Sequence, residues 1–453
     1  MVNVIRVFPP DIRIGFVPIA RPTFDLDLAR AVTAQLYAAL QSAGYWLVGS
    51  QELVMDGQAI DARIDELKAA DIDMILVAQA SFADSTMILH LARAIPAPLL
   101  MWAFPEDQVG GRLRINSFCG LNLAAHGLRR AGIGYDFRYA APEDPGALAK
   151  LKDFAIAAAV KSRLTGTRIG RLGEHPDGFD TCLVNHDGLR ARLGLEVVGY
   201  ELAPFFERVK AADPTKVKAL ADAMSGALAG FSDVDAGAAK GTLRAYLSLE
   251  ALAREENLAG MAVRCWPEFF TDLGCAACGA MSLLSDAMTP CSCEADVNGT
   301  ITQLILGWIS GEPAFGSDIV AFDVDADEAT LWHCGLAPLS MADADAQPEA
   351  TIHSNRRLPL LMQFPLKPGR VTIARLSEAT GEFRLVIGGG EMLKAPPAFT
   401  GTSGRIRFDS GAAAVMETLL GQGLEHHVSI SYGDHQAVLE SLAGMLGLSV
   451  LRL

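Results

Sequence analysis

The sequence predicts an α/β chain: two doubly wound α/β domains with parallel sheets, followed by a C-terminal domain of mainly antiparallel, barrel-like β-structure. Three observations predict it. Over the first 165 residues, short runs that are apolar on both faces alternate with helical periodicity, the pattern of buried parallel strands. The alternation restarts near Thr167-Arg-Ile-Gly-Arg-Leu-Gly173. After about residue 315 the texture becomes short strands punctuated by Gly, Pro and Asp, which is antiparallel spacing. With 453 residues and roughly 150 per domain, three domains are expected: 1–165, 166–289 and 290–453, the last carrying most of the candidate ligands.

The elements follow in order. Arg13–Ile19 is a short apolar run, and Asp25–Ala43 is a helix with Leu28, Val32, Leu36 and Leu40 on one face. Asp71–Ala78 is a buried strand, Thr86–Ala94 a helix and Leu99–Phe104 a strand. In the second unit, 167–173 runs as a strand into glycine, helices follow at about 184–193, 214–229 and 237–256, and Gly260–Cys265 is a strand. A helix is expected from about Val297 to Ile309. Asp318–Asp323, Thr330–Cys334, Gly369–Arg375, Gly381–Ile387 and Gly404–Phe408 are short strands, closed by a helix at Asp434–Leu446 and a last apolar strand. Gly388-Gly389-Gly390 follows a strand without a GK[ST] after it, so a tight hairpin or bulge is expected there, not a phosphate cradle.

Half of the chain is apolar and one fifth charged, so it can bury large cores. Its 38 basic against 53 acidic residues leave a net charge of −15, which argues against a nucleic-acid partner. No charged segment followed by a long apolar core opens the chain, so no signal peptide is read. The longest apolar runs, such as Pro98–Phe104, fall far short of the roughly 18 residues that cross a bilayer. A cytoplasmic protein without a membrane partner is expected, its eight cysteines reduced.

The chemistry concentrates in three segments. Cys265-Trp-Pro-Glu-Phe269 and Cys293-Glu-Ala-Asp-Val-Asn-Gly299 place Glu268, Glu294 and Asp296 at the ends of two short predicted strands, where α/β sheets bind ligands. Glu425-His-His-Val-Ser-Ile-Ser-Tyr-Gly433 supplies imidazoles. Carboxylates with one imidazole make an oxygen-rich site for a hard divalent cation, and the carboxylates can also move protons. Glu294 and Asp296, two apart, face the same way if extended, and Asp296 is equally suited to cap the following helix. His426 and His427 are adjacent, so in a strand only one can serve the site. A competing zinc site, Cys275-Ala-Ala-Cys278 with Cys291-Ser-Cys293, lacks the turn chemistry of a zinc knuckle, and buried packing thiols are the simpler reading.

Together, Arg264-Cys-Trp-Pro-Glu-Phe269, Cys293–Gly299, Leu331-Trp-His-Cys-Gly335 with Ala337-Pro338, and His427-Val-Ser-Ile-Ser-Tyr-Gly433 resemble the L-fucose/L-arabinose isomerase superfamily, in order, over about residues 250–453. The resemblance implies a metal-dependent aldose–ketose isomerase that works through a cis-enediol. It implies Mn²⁺, or Mg²⁺ or Co²⁺, held by Glu268, Asp296 and His427, with Glu268 and Asp296 as the acid–base pair. Trp266, Glu294, Asn298 and His333 are the expected substrate contacts. It also implies a free sugar as substrate and a homo-oligomer, trimer or hexamer. A sugar-binding sensor without catalysis, or a metal-dependent aldolase or decarboxylase of a sugar acid, are the alternative functions. Which sugar is bound is not legible, because enediol chemistry is indifferent to C4–C6.

Overall fold

The structure is a computed structural model that describes residues 11–453. The reading of residues 1–10 as free of a leader therefore lies outside the described residues. No helix among the described residues is long and apolar enough to cross a membrane.

The chain divides into two compact units, whose described residues are 11–162 and 163–453. The first is built on strands β1 (Arg13–Ile19), β2 (Trp46–Val48), β3 (Met74–Gln79), β4 (Leu99–Ala103) and β5 (Asp136–Tyr139). They lie in the order β2-β1-β3-β4-β5, all parallel. Every side chain of β3 and β4 is buried, as expected for strands covered by helices on both faces. Ile75, Val77 and Met101 pack against Ile60, Ile64, Leu91 and Leu121 of the covering helices. The helix Leu26–Ser42 starts where Asp25 accepts a hydrogen bond from the amide of Leu28, an N-cap that satisfies one of the otherwise unpaired donors of the first turn.

The second unit contains a parallel sheet and a barrel that share one core. The sheet runs β7 (Glu196–Tyr200), β6 (Arg168–Leu172), β8 (Leu258–Val263), β9 (Cys291–Ser292). The barrel then uses β10 (Phe315–Asp323), β11 (Glu328–His333), β12 (Glu349–Thr351), β13 (Leu361–Pro365), β14 (Gly369–Ser377), β15 (Arg384–Leu393), β16 (Thr402–Phe408), β17 (His427–Tyr432) and β18 (Ser449–Arg452). Six of them, β11-β10-β17-β14-β15-β16, close into an antiparallel ring because β15 and β16 pair with each other. Closure removes the sheet edges. The α/β and barrel-like fold class read from sequence is thus the observed one.

Two local expectations are corrected. Gly388, Gly389 and Gly390 lie inside the regular strand β15 and pair in register with Ile373, Thr372 and Val371. They form neither a hairpin nor a bulge. A Cβ at Gly390 would stand 2.5 Å from the carbonyl oxygen of Arg407, so glycine is needed there for close approach of β16. The segment around Glu294 is not extended either: Glu294 and Ala295 have φ of 59° and 54°. Two successive left-handed residues fold the chain back on itself before the helix Val297–Ser310.

That helix is buried along nearly its whole length. It packs between β8 of the parallel sheet and β14 and β17 of the barrel, and so brings its N-terminus to the place where the motifs meet.

Candidate active site

Three strands and one helix start position the polar groups. β8 leads into Trp266, whose indole N–H donates to Glu294 Oε1 at 3.1 Å. The left-handed turn at Glu294 aims its carboxylate back at this indole, and its other oxygen lies 3.1 Å from His426 Nε2 and 3.8 Å from His427 Nε2. Asp296 caps the helix by accepting from the amide of Gly299 at 2.9 Å. Its second oxygen takes the Arg375 guanidinium at 2.5 Å and His427 Nδ1 at 2.9 Å. Capping and site, alternatives in the sequence, are both served by one carboxylate. A Cβ on Gly299 would collide with that carboxylate and with Arg375.

His427 is the hinge of the cluster. Its Nδ1 meets Asp296, and its Nε2 faces Glu294 and Asp318, whose Oδ1 is 3.6 Å away. Asp318 Oδ1 is buried and has no hydrogen-bond partner. His333 ends β11, its ring 5.8 Å from that of His427 and stacked on Trp332. Two groups with metal-ligating atoms result: Cys182, Glu294, His426 and His427, and Asp318, His333 and His427.

The electrostatics keep both acids ionised. Burial pushes the Glu294 carboxyl up, but hydrogen bonds from His426 and Trp266 and the field of His427 outweigh it and hold the group below its ordinary value. Burial also opposes ionisation of Asp296, and the adjacent Arg375 cation and His427 overcome it by a wide margin. Burial lowers His426, yet its bond to Glu294 and the charges of Asp318 and Asp296 leave it raised. Burial and the charges of Asp296 and Glu294 push the Cys182 thiol far up.

Of the sequence-derived candidates, Trp266, Glu294, Asp296, His333 and His427 come together. Asn298 lies beside them and donates to Glu378. Glu268 stands on the short helix Glu268–Thr271, where Arg264 Nε approaches both of its oxygens at 2.9 Å. It is in neither donor cluster. The four cysteines of the zinc alternative are buried and belong to neither cluster; two of them pair with other thiols instead, Cys293 with Cys265 and Cys278 with Cys334.

His426 corrects the expectation that one of the two histidines faces away. It precedes β17, so strand alternation does not apply to it, and the two rings lie 4.0 Å apart. Sequence reasoning missed Arg375 and Asp318. The signal for Arg375 was a cation between Ala374 and Leu376 in an apolar strand; its side chain is 2% exposed.

Comparison with known proteins bears on this site. The family model described as fucose/sulfoquinovose isomerase, N-terminal domain, matches residues 15–165. The one described as L-fucose isomerase, C-terminal domain, matches residues 331–453. The chain belongs to the L-fucose isomerase family. Within that family it is similar to the sulfoquinovose isomerase of Priestia megaterium (strain ATCC 12872 / QMB1551), 29% identical over 96% of this chain and 97% of the relative. The sulfoquinovose isomerase of Alkalicoccus urumqiensis is 29% identical over 97% and 98% of the two chains, and that of Clostridium sp. (strain MSTE9) 28% identical over 96% and 98%. The C-terminal family domain contains His333, Arg375, His426 and His427. Trp266, Glu294, Asp296 and Asp318 lie between the two matched domains but inside the span shared with the full-length relatives.

A divalent cation fits these residues. The buried, unpartnered Asp318 Oδ1 is an anionic atom that only a cation or a donor can satisfy. Glu294 and the Nε2 of His427 supply further O and N ligands of the type hard and borderline cations take. Asp296 stands behind His427, in the carboxylate–histidine arrangement that orients a ligating imidazole.

Proposed function

We propose that this protein is a divalent-cation-dependent aldose–ketose isomerase acting on a sulfonated hexose of the sulfoquinovose kind. The observation that carries the chemistry is that two donor groups, one with Glu294 and one with Asp318, meet at His427 beside a carboxylate oxygen that has no hydrogen-bond partner. The names of the relatives, which align along almost the whole chain, support the substrate.

In this reading Glu294, Asp318 and His427 hold Mn²⁺, Mg²⁺ or Co²⁺. Bound there, the cation supplies Lewis acidity toward the hydroxyl and carbonyl oxygens of the open-chain sugar. Asp296, kept ionised by Arg375, fixes the tautomer of His427. Glu294, ionised and held by Trp266, removes the proton from C2 to give a cis-enediol. His426, on the same carboxylate and half exposed, passes the proton between Glu294 and the C1–O1 end. The resemblance assigns the acid–base pair to Glu268 and Asp296. We place on Glu294 the role expected of Glu268, because Glu268 must leave Arg264 before it can act.

The division into 1–165, 166–289 and 290–453 and a homo-oligomer, trimer or hexamer, remain part of the proposal. Sedimentation at assay concentration tests the latter.

The assignment is tested by Glu268→Gln, Glu294→Gln and Asp296→Asn, each assayed for ketose formation with Mn²⁺. Glu294→Gln should lower kcat by about 10²–10⁴, the usual worth of a positioned acid–base group. Near-normal turnover there, with a dead Glu268→Gln, would return the role to Glu268.

A further inference from the structure

We propose that Arg356 reads the anionic end of the substrate and sets the preference for a charged over a neutral aldose. This rests on the sulfonated-hexose reading above and goes beyond it by naming the recognising residue.

Arg356 lies on the loop between β12 and β13. Its guanidinium sits over the Trp266 ring, 4.6 Å from the centroid, and 5.3 Å from that of Phe270. Trp266 is the same indole whose N–H holds Glu294. Arg356 is therefore one indole ring away from the carboxylate proposed to take the proton. A C6 substituent of a hexose held at Glu294 by its aldehyde end must leave the cluster in some direction, and this loop borders it.

The state of the charge makes Arg356 different from its neighbours. Arg264 is committed to Glu268, and Arg375 to Asp296 and Glu425. Among the described residues, no ion pair with a carboxylate is formed by Arg356. Its polar side-chain contact is His353 Nε2, 3.3 Å from Nη1. Burial, together with the Arg356 charge, brings His353 down to about 4, so the imidazole is neutral and cancels nothing. The guanidinium lies over the indole, and the planar fork of an arginine matches two oxygens of a tetrahedral anion.

The same loop reaches the other side of the cluster. Ser354 lines a cavity of about 400 Å³ together with Val320, Trp332, Phe399 and Thr400. Trp332 stacks on His333 of the second donor group. The loop that carries Arg356 thus borders open space next to the donors as well as the Trp266 face.

A structural role, pinning the loop by a cation–π contact, predicts equal loss for every substrate. The test separates the two. Wild type, Arg356→Gln and Arg356→Lys are loaded with Mn²⁺ and assayed on sulfoquinovose, glucose 6-phosphate and neutral 6-deoxyglucose, and sulfoquinovose binding is measured by calorimetry without metal. Arg356→Gln should raise KM for sulfoquinovose at least tenfold and weaken calorimetric binding similarly. Its kcat on sulfoquinovose and its kcat/KM on 6-deoxyglucose should stay within twofold of wild type, and Arg356→Lys should recover part of the KM. An Arg356-dependent KM on the 6-phosphate as well supports a reader of tetrahedral anions in general; dependence confined to sulfoquinovose supports a sulfonate reader. Unchanged KM for sulfoquinovose, or equal losses on charged and neutral sugars, overturns the proposal. A wild-type protein that isomerises no aldose overturns the isomerase reading instead, and one that isomerises only neutral sugars overturns the sulfonated-hexose reading and the anion-reading role with it.

Discussion

Two parallel sheets in this molecule obey the same construction rule, and they differ in how the polar groups at their carboxyl ends are satisfied. In the unit of residues 11–162, the polar groups at the carboxyl ends of β3 and β4 close on one another. Ser117 Oγ accepts from the amide of Phe104 and donates to the Gln79 carbonyl, and the Gln79 side chain donates to the Ser81 carbonyl. The Glu106 carboxylate takes the backbone N–H groups of Ile115 and Asn116. Every one of these groups is satisfied from within the unit. At the end of β8 the corresponding polar groups meet side chains that arrive from the barrel, and the account does not close: Asp318 Oδ1 is left without a partner. The carboxyl end of a parallel sheet is a place for a ligand. It becomes a site when a second element delivers charge that the sheet cannot neutralise.

The largest test of that contrast is the buried ion pair. Arg375→Met leaves Asp296 as an uncompensated buried charge and should cost about 3–5 kcal/mol. Ser117→Ala in the other sheet loses ordinary neutral hydrogen bonds and should cost about 1–2 kcal/mol. Thermal melts of the two variants compare them directly. Pairing Arg375→Met with Asp296→Leu should restore part of the loss. Equal small losses for both would mean that Arg375 does not carry the charge balance of the site.

The next effect concerns the unpartnered oxygen. Mn²⁺ at about a hundredfold its Kd should stabilise the protein by about 2.7 kcal/mol, and a chelator should remove the gain. Asp318→Asn should shrink the shift seen by scanning calorimetry, whereas Glu106→Gln should leave it intact. A shift that survives Asp318→Asn at full size would place the cation elsewhere.

A smaller effect is a pH dependence beside the Trp266 face. His353 titrates near 4 in the folded chain against 6.5 for a free imidazole, because of burial first, then the Arg356 and His333 charges. Between these values the unfolded chain binds a proton that the folded one refuses, so stability rises with pH across the window and is lost as pH falls from 6.5 toward 4. Melts from pH 7 to pH 4 should show this slope, and His353→Phe should flatten it. An unchanged slope would assign the acid sensitivity to other groups.

Much of the site was legible as ordered motifs. Trp266, Glu294, Asp296, His333 and His427 lie in segments whose residue types and spacing pointed to one cluster, and the structure brings them together. Glu268 shared the motif yet is turned to Arg264, because one residue inside a short helix can rotate the side chain away from what the segment as a whole faces. His426 was discounted on strand periodicity, and the strand begins one residue later.

The sequence by itself determined what local physics can specify. The apolar runs on both faces demanded parallel strands between helices. The Gly- and Asp-punctuated strands demanded an antiparallel closure. Asp296 two residues before Asn298-Gly299 demanded a helix start. Only the tertiary structure decided which charges meet. Arg375 is 79 residues from Asp296 in the chain, and His427 is 131. Their contact exists because β14 and β17 of the ring β11-β10-β17-β14-β15-β16 pack against the helix Val297–Ser310. Pairings at such separations leave no periodic trace in sequence, since each partner reads locally as one polar residue in an apolar strand. It is this packing that gives Asp296, a helix cap, its second contact with His427, and that leaves Asp318 Oδ1 without a hydrogen-bond partner.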